Sequence, residues 1–222
     1  MLRPGALTPV LTLTLLLTQL TATPAAARAA EVLTLADAVG RVPVVPEDPA
    51  GYSRDAFRHW NAGTRPGDGC DTRGEVLIAE AVKAPTTGPG CALTGGTWLS
   101  YYDGQEVTDP ADLAVDHMVP LAEAWASGAS SWNAARREAY ANDQGASTTL
   151  VAVTARTHRD RAGRDPADWI PPATDQRCRY VAEWVTTKLR WQLDADTAEM
   201  EALKVFAEGP CEDALVQYRP AP

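Results

Sequence analysis

Val115-Asp116-His117-Met118-Val119-Pro120-Leu121 is the stretch on which the reading of this chain turns. β-Branched valines flank an Asp-His pair, and Pro120 brings no N–H to a sheet ladder, so Leu113 to Val119 is expected to be a strand that stops at the proline. That puts Asp116 and His117 near a strand end. Downstream, Leu150-Val151-Ala152-Val153 reads as a second short apolar strand. Thr154 can then cap a helix that runs to about Arg161 and ends at Gly163. His158 lies about one turn into that helix. Strand, loop, strand, helix is the order that folds two strands and a helix around one cation, and two of the three histidines in the chain fall on it.

Those residue types suit phosphodiester hydrolysis. The reaction needs a deprotonated water, a cation on the phosphate and stabilisation of the leaving oxygen. A neutral imidazole is a suitable base for water, which assigns that role to His117. One carboxylate and one imidazole hold a divalent ion while leaving positions open for water and phosphate, so Asp116 and His158 are the expected metal ligands. Asn142, in the loop between the strands, is expected to brace that loop by side-chain hydrogen bonds and keep His117 oriented. The competing reading is an Asn-Asp pair that only closes a helix. Arg156, Arg159, Arg161 and Arg164 crowd the ligand helix. Such a run is usually a solvated face, but beside a cation Arg159 and Arg161 are candidate phosphate contacts. His59, between Arg58 and Trp60, reads as structural.

Working outward, Tyr52 to Trp60 is expected to form a short helix capped by Ser53, and Thr72 to cap another through Ile78 with Glu75 closing a capping box. Thr97 to Tyr102 is rich in β-formers and runs into the turn signal Asp103-Gly104. Leu121 to Ala126 reads as a helix, and Ser131 can cap one from Trp132 to Tyr140. Asp165-Pro166 opens a short helical element. Cys178, Val181, Ala182, Val185 and Leu189 mark the inner face of a long helix, and a last helix spans Thr197 to Glu208. No internal repeat or domain break interrupts the pattern.

Residues 1–30 read as a secretory signal peptide: Arg3, an apolar stretch from Ala6 to Leu20, and small residues at Ala25–Ala30 for cleavage. A membrane anchor is the alternative, but Pro9 and several threonines break a core already too short to span well. Residues 31–50 are expected to be a flexible lead-in and 51–222 a single domain, soluble, monomeric and extracellular once the signal is removed. An even count of four cysteines in an exported chain reads as two disulfides. Three pairings are open, and Cys70–Cys91 with Cys178–Cys211 is favoured because each pair lies within one local segment. The net charge of −9, or −11 once Arg3 and Arg28 leave with the signal, gives no support to nucleic-acid binding by charge alone. A hydrolase needs only a locally positive cleft and a divalent ion.

The run Asp116 to Leu121, with Ala124-Trp125 and Ser127-Gly128-Ala129 behind it, resembles the His-Asn-His (HNH) endonuclease superfamily. It is most similar to the secreted bacterial branch related to the C-terminal nuclease domain of modification-dependent restriction enzymes. Gly69 to Arg73, Ala141-Asn142-Asp143, Leu150 to Val153 and Asp165 to Pro172 extend the likeness over roughly Tyr52 to Cys211. The resemblance implies an α+β fold built on a ββα-metal core with additional helices around it. It also implies one divalent cation, Mg²⁺ first, and DNA as substrate, with RNA second and little sequence preference. It adds Arg73 and Arg137 as phosphate contacts. His158 stands where many relatives carry asparagine, and its softer nitrogen favours Mn²⁺, Zn²⁺ or Ni²⁺ as alternatives. Arg161 stands where a lysine is common. Rival readings are a non-catalytic nucleic-acid- or metal-binding module on the same scaffold, and an antibacterial nuclease toxin.

Overall fold

A computed structural model describes residues 29–222 apart from Pro66, so the expected signal peptide lies outside the described residues but for its last two positions. The segment after it is not a loose lead-in. Strand β1 (Glu31–Thr34) pairs antiparallel with the last strand of the chain, Glu31 opposite Tyr218. Thr34 then caps helix α1 (Leu35–Val39), accepting from Asp37 N at 3.1 Å. Leu35, Ala38 and Val39 are buried in the main core. The expectation for 31–50 is corrected over this first part. A four-residue strand whose partner lies at the far end of the chain has no local signal to read.

The helix expected over Tyr52–Trp60 shrinks to one 3₁₀ turn at Arg54–Ala56, capped by Ser53. Helix α2 (Thr72–Ala79) forms where expected, but Asp71 is its cap, accepting from Gly74 N at 2.7 Å. Glu75 turns away from a capping box and accepts instead from Thr64 N and Arg65 N. Strands β2 (Thr86–Thr87) and β3 (Leu93–Thr94) pair beside Cys91, and β4 (Trp98–Ser100) pairs with β5 (Gln105–Val107) around the Asp103-Gly104 turn. Gly104 takes φ +68°, which a side chain would resist.

Strand β6 (Leu113–His117) is followed by α3 (Leu121–Ala126) and α4 (Ala134–Ala141), the latter capped by Asn133 rather than Ser131. Strand β7 (Leu150–Thr154) returns antiparallel to β6, with Leu113 opposite Thr154 and His117 opposite Leu150. Helix α5 (Ala155–Arg161) starts directly from Thr154, whose hydroxyl accepts from Thr157 N. The Asp165 segment is a turn, with Asp165 Oδ1 accepting from Ala167 N at 2.7 Å. Helices α6 (Arg177–Trp191) and α7 (Thr197–Ala207) and strand β8 (Leu215–Tyr218), the partner of β1, complete the α+β fold. Both disulfides pair as favoured, Cys70–Cys91 and Cys178–Cys211.

The β6–β7 hairpin divides the interior. Alternate side chains of a strand face opposite ways. Leu113, Val115, Leu150 and Ala152 pack with Val76 and Leu77 of α2, Trp98 and Val107. Val151 and Val153 face the larger core with Tyr102, Tyr180 and Trp184. Asp116 stands opposite Val151 and so shares this second face, where α5 lies. The lengths also match. From Leu113 to Asp116 is about 10 Å of strand, and from Thr154 to Arg161 is about 10 Å of helix. The end of α5 therefore comes level with Asp116.

If 31–39 is core, Leu35→Ala lowers unfolding stability by about 2–5 kcal/mol in urea denaturation. A change below about 0.5 kcal/mol, usual for exposed positions, would contradict the placement.

Candidate active site

Asp116 is almost fully buried, and its two oxygens have different neighbours. Oδ2 accepts from Tyr102 OH at 3.1 Å and from Arg161 Nη1. Oδ1 lies 3.5 Å from His158 Nε2, and the His158 side chain is 39% exposed. His158 and Arg161 are three residues apart on α5, so they share one helix face and reach the same carboxylate from adjacent turns.

Strand alternation turns His117 the other way. Its Nε2 bonds to Ala141 O at 3.0 Å. A carbonyl only accepts, so Nε2 carries the proton and Nδ1 of the neutral ring is left as the acceptor. The ring lies near-parallel to Trp60 (centroids 5.5 Å, 24°) and to Tyr140 (6.2 Å, 29°). Burial is the largest influence and pushes this imidazole down to about 4, against the opposing pull of Ala141 O and Asp116.

Asn142 bonds to the backbone at both ends of the 58–61 loop and to that of α4. Its Oδ1 accepts from Asn61 N at 2.9 Å, and its Nδ2 donates to Arg58 O and Glu138 O at 2.9 and 2.8 Å. It thus ties the 58–61 loop to the end of α4. That loop carries Trp60, which has φ +60°, a conformation an L-residue keeps only when its surroundings hold it. Asn142 makes no hydrogen bond to His117; Trp60 on the tied loop and the neighbouring Ala141 carbonyl do contact that ring.

The arginines divide. Arg159 is exposed and lines the cleft with Asp116, His117 and His158. Of the other three expected phosphate contacts, Arg161 is corrected by its burial, and Arg137 and Arg73 lie away from this cleft with partners of their own. Arg161 has no exposed surface. Arg137 donates to Ala56 O and Trp132 O and lies over the Trp125 ring. Arg73 donates to Leu113 O at 3.1 Å and lines a different hollow, with Asp71 and Asp109. Counting arginines near a ligand says nothing of which are folded inward.

Sequence reasoning missed one wall of the cleft. Tyr52 and Arg54 line it, in a space of about 340 Å³. Arg54 Nη2 lies 3.2 Å from His59 Nε2, whose ring centroid is 6.2 Å from that of His117. His59 also bonds through Nδ1 to Phe57 O. All three histidines therefore gather around one site, although His59 carries no local signal beyond its residue type. Hollows of about 700 Å³ elsewhere, such as the one along α6 and β8, hold no histidine. Among the described residues, Glu47, Asp165, Asp196 and Glu199 also bring carboxylate oxygens within 4.8 Å of one another, without an imidazole.

The site thus consists of an antiparallel strand pair backed by a helix, with Asp116-His117 at one strand end and His158 on the helix. The family model described as GmrSD restriction endonucleases, C-terminal domain, matches residues 91–204, just over half of the chain. The chain belongs to this family, whose general kind is a nuclease. It is also similar to an uncharacterized secreted protein of Arthroderma benhamiae, 39% identical over 163 residues, covering 72% of this chain and 76% of the relative. No solved structure matches. The matched family segment includes Asp116, His117, Asn142, His158 and Arg161 and begins after the Arg54–Trp60 wall.

Asn142→Ala leaves three backbone partners without their bonds and costs about 1–3 kcal/mol. It also speeds hydrogen exchange at the Asn61 amide, and unchanged exchange there would contradict the bracing role. A second expectation concerns pH in protein kept metal-free with EDTA. The folded value of His117 lies below the ordinary 6.5, so the unfolded chain takes up the proton first. This contribution is therefore full above about pH 6.5 and is lost as pH falls towards about 4, by up to about 1.4 kcal/mol per unit. His117→Gln removes that slope, and a stability difference between the two proteins that stays constant from pH 7 to 5 would contradict it.

Proposed function

We propose that this chain is an exported, divalent-metal-dependent endonuclease that hydrolyses phosphodiester bonds of DNA, and of RNA as a second substrate, with little sequence preference. The observation that carries the reading is the 3.5 Å approach of His158 Nε2 to Asp116 Oδ1, beside an imidazole whose Nδ1 is uncommitted. Two donors about 2.1 Å from one ion stand roughly 3.0–3.4 Å apart in octahedral or tetrahedral geometry. The pair fits a divalent ion with little movement. Asp116 and His158 would hold it, and the part-exposed face of His158 leaves room for water and a phosphate oxygen. When bound, such an ion supplies positive charge to the phosphate and the leaving oxygen. A carboxylate suits Mg²⁺, and the imidazole broadens the choice to Mn²⁺, Zn²⁺ or Ni²⁺.

The chain's own residues do the rest. His117 accepts the proton of the attacking water at Nδ1, while its Nε2–H stays on Ala141 O and keeps the ring in place. Adjacent Asp116 favours the imidazolium that results. Trp60 and Tyr140 limit rotation of the ring. Arg159, exposed on the cleft, would meet a phosphate oxygen by a charge-assisted bond. Export is supported by the leader-like N-terminus, by two disulfides and by a relative named as secreted.

Purified, oxidised protein is expected to nick supercoiled plasmid with Mg²⁺ or Mn²⁺ and to stop in EDTA. His117→Ala should lower the rate by about 10²–10⁴-fold while its far-ultraviolet circular dichroism stays that of the parent. Undiminished nicking by this variant, or by the parent in EDTA, would overturn the proposal.

A further inference from the structure

Arg161 is the most deeply placed charge near the site. It has no exposed surface, and four aromatic rings, Tyr102, Trp169, Tyr180 and Trp184, have centroids 5.4–5.8 Å from its guanidinium carbon. Its Nη2 donates to Met118 O, and its Nη1 reaches Asp116 Oδ2, Tyr102 OH at 3.2 Å and His117 O at 3.1 Å. Tyr102 OH donates to the same Oδ2. A planar guanidinium fixed at both ends cannot follow a carboxylate that rotates. The carboxylate plane of Asp116 is therefore set by α5 and by Tyr102, and one of its oxygens is already taken.

We propose that Arg161 is a positioning residue for the cation site: its buried guanidinium occupies Oδ2 of Asp116 and leaves Oδ1, beside His158, as the single carboxylate oxygen offered to a divalent ion. The inference rests on the proposed assignment of Asp116 and His158 as ligands. A fixed positive charge next to a divalent ion weakens its binding, so the arrangement trades affinity for one-oxygen ligation and an unfilled coordination position for substrate. A residue that only filled space would not produce that trade. The trade also separates Arg161 from an ordinary outer partner of a metal ligand, whose removal weakens binding.

The test is calorimetric titration of the intact, oxidised chain with Mn²⁺, alongside hydrolysis of bis(p-nitrophenyl) phosphate. The parent binds one Mn²⁺, and Asp116→Asn and His158→Ala lose it. Arg161→Met binds Mn²⁺ about 10-fold more tightly, yet kcat falls about 100-fold with KM changed less than about 3-fold. Arg161→Lys keeps the charge but has one donor centre, so its affinity stays within about 3-fold and kcat falls about 10-fold. Tyr102→Phe retains the ring and lowers kcat about 3–10-fold. Unchanged or weaker Mn²⁺ binding in folded Arg161→Met overturns the inference. If Arg161→Met does not fold, unchanged kcat in Arg161→Lys and Tyr102→Phe overturns it, and losses in both support it. Loss of Mn²⁺ binding in Asp116→Asn and His158→Ala, with no response in the Arg161 and Tyr102 variants, defeats this inference alone. A parent that binds no Mn²⁺, or retains it in His158→Ala, defeats the ligand reading beneath it as well.

Discussion

The pairing of Leu113 with Thr154 is the constraint from which the site derives. It starts α5 at the far end of the hairpin from Asp116, and the helix then runs back the length of the strand. Two residues at a spacing of three, His158 and Arg161, arrive on either side of one carboxylate. Slipping the pairing by one residue would exchange the two faces of β7 and turn Val151 and Val153 out of the larger core. The hydrophobic pattern of a five-residue strand thus protects the placing of His158 and Arg161 beside Asp116.

Burying Asp116 would be costly if the charge were unpaired, and Arg161 with Tyr102 meets that cost. Arg161 also donates through its two Nη atoms to two backbone carbonyls at the end of β6, so the ion pair holds the strand end that carries His117 as well. The fold repeats the device away from the cleft. Lys188, fully buried, donates to Glu123 and Glu199, and joins α6 to α3 and α7. On the other side of β6, His117 is steadied by neutral groups, the Ala141 carbonyl and two aromatic rings. A charged clamp fixes the Asp116 carboxylate, and an uncharged cradle surrounds the His117 imidazole.

What could be read from the sequence was what local chemistry encodes. Thr154 caps α5 and the turn at Asp103-Gly104 joins β4 to β5, while β6 stops at His117, short of Val119, and Pro120 leads into α3. Those signals placed Asp116 and His158 on neighbouring elements, and the structure sets them 3.5 Å apart. Caps were harder, because Asp71 and Asn133 each outcompeted a hydroxyl neighbour that fitted the same pattern. The β1–β8 pair was hidden by its separation. The fate of the arginines was hidden for a different reason. Whether Arg161 lies in water or in a cage depends on Trp169, eight residues on, and on Tyr102, Tyr180 and Trp184 from other elements. His59 lies beside His117 on a loop that Asn142 and Glu138 tie to α4, contacts that no local sequence pattern signals.

The central claim is that Asp116 and His158 share one cation. Crystals of the protein soaked in Mn²⁺, with data collected at the manganese absorption edge, test it most directly. The account predicts one anomalous peak about 2.1–2.3 Å from both Asp116 Oδ1 and His158 Nε2, with Oδ2 still held by Arg161. A peak among Glu47, Asp165, Asp196 and Glu199, with none beside Asp116, would contradict it.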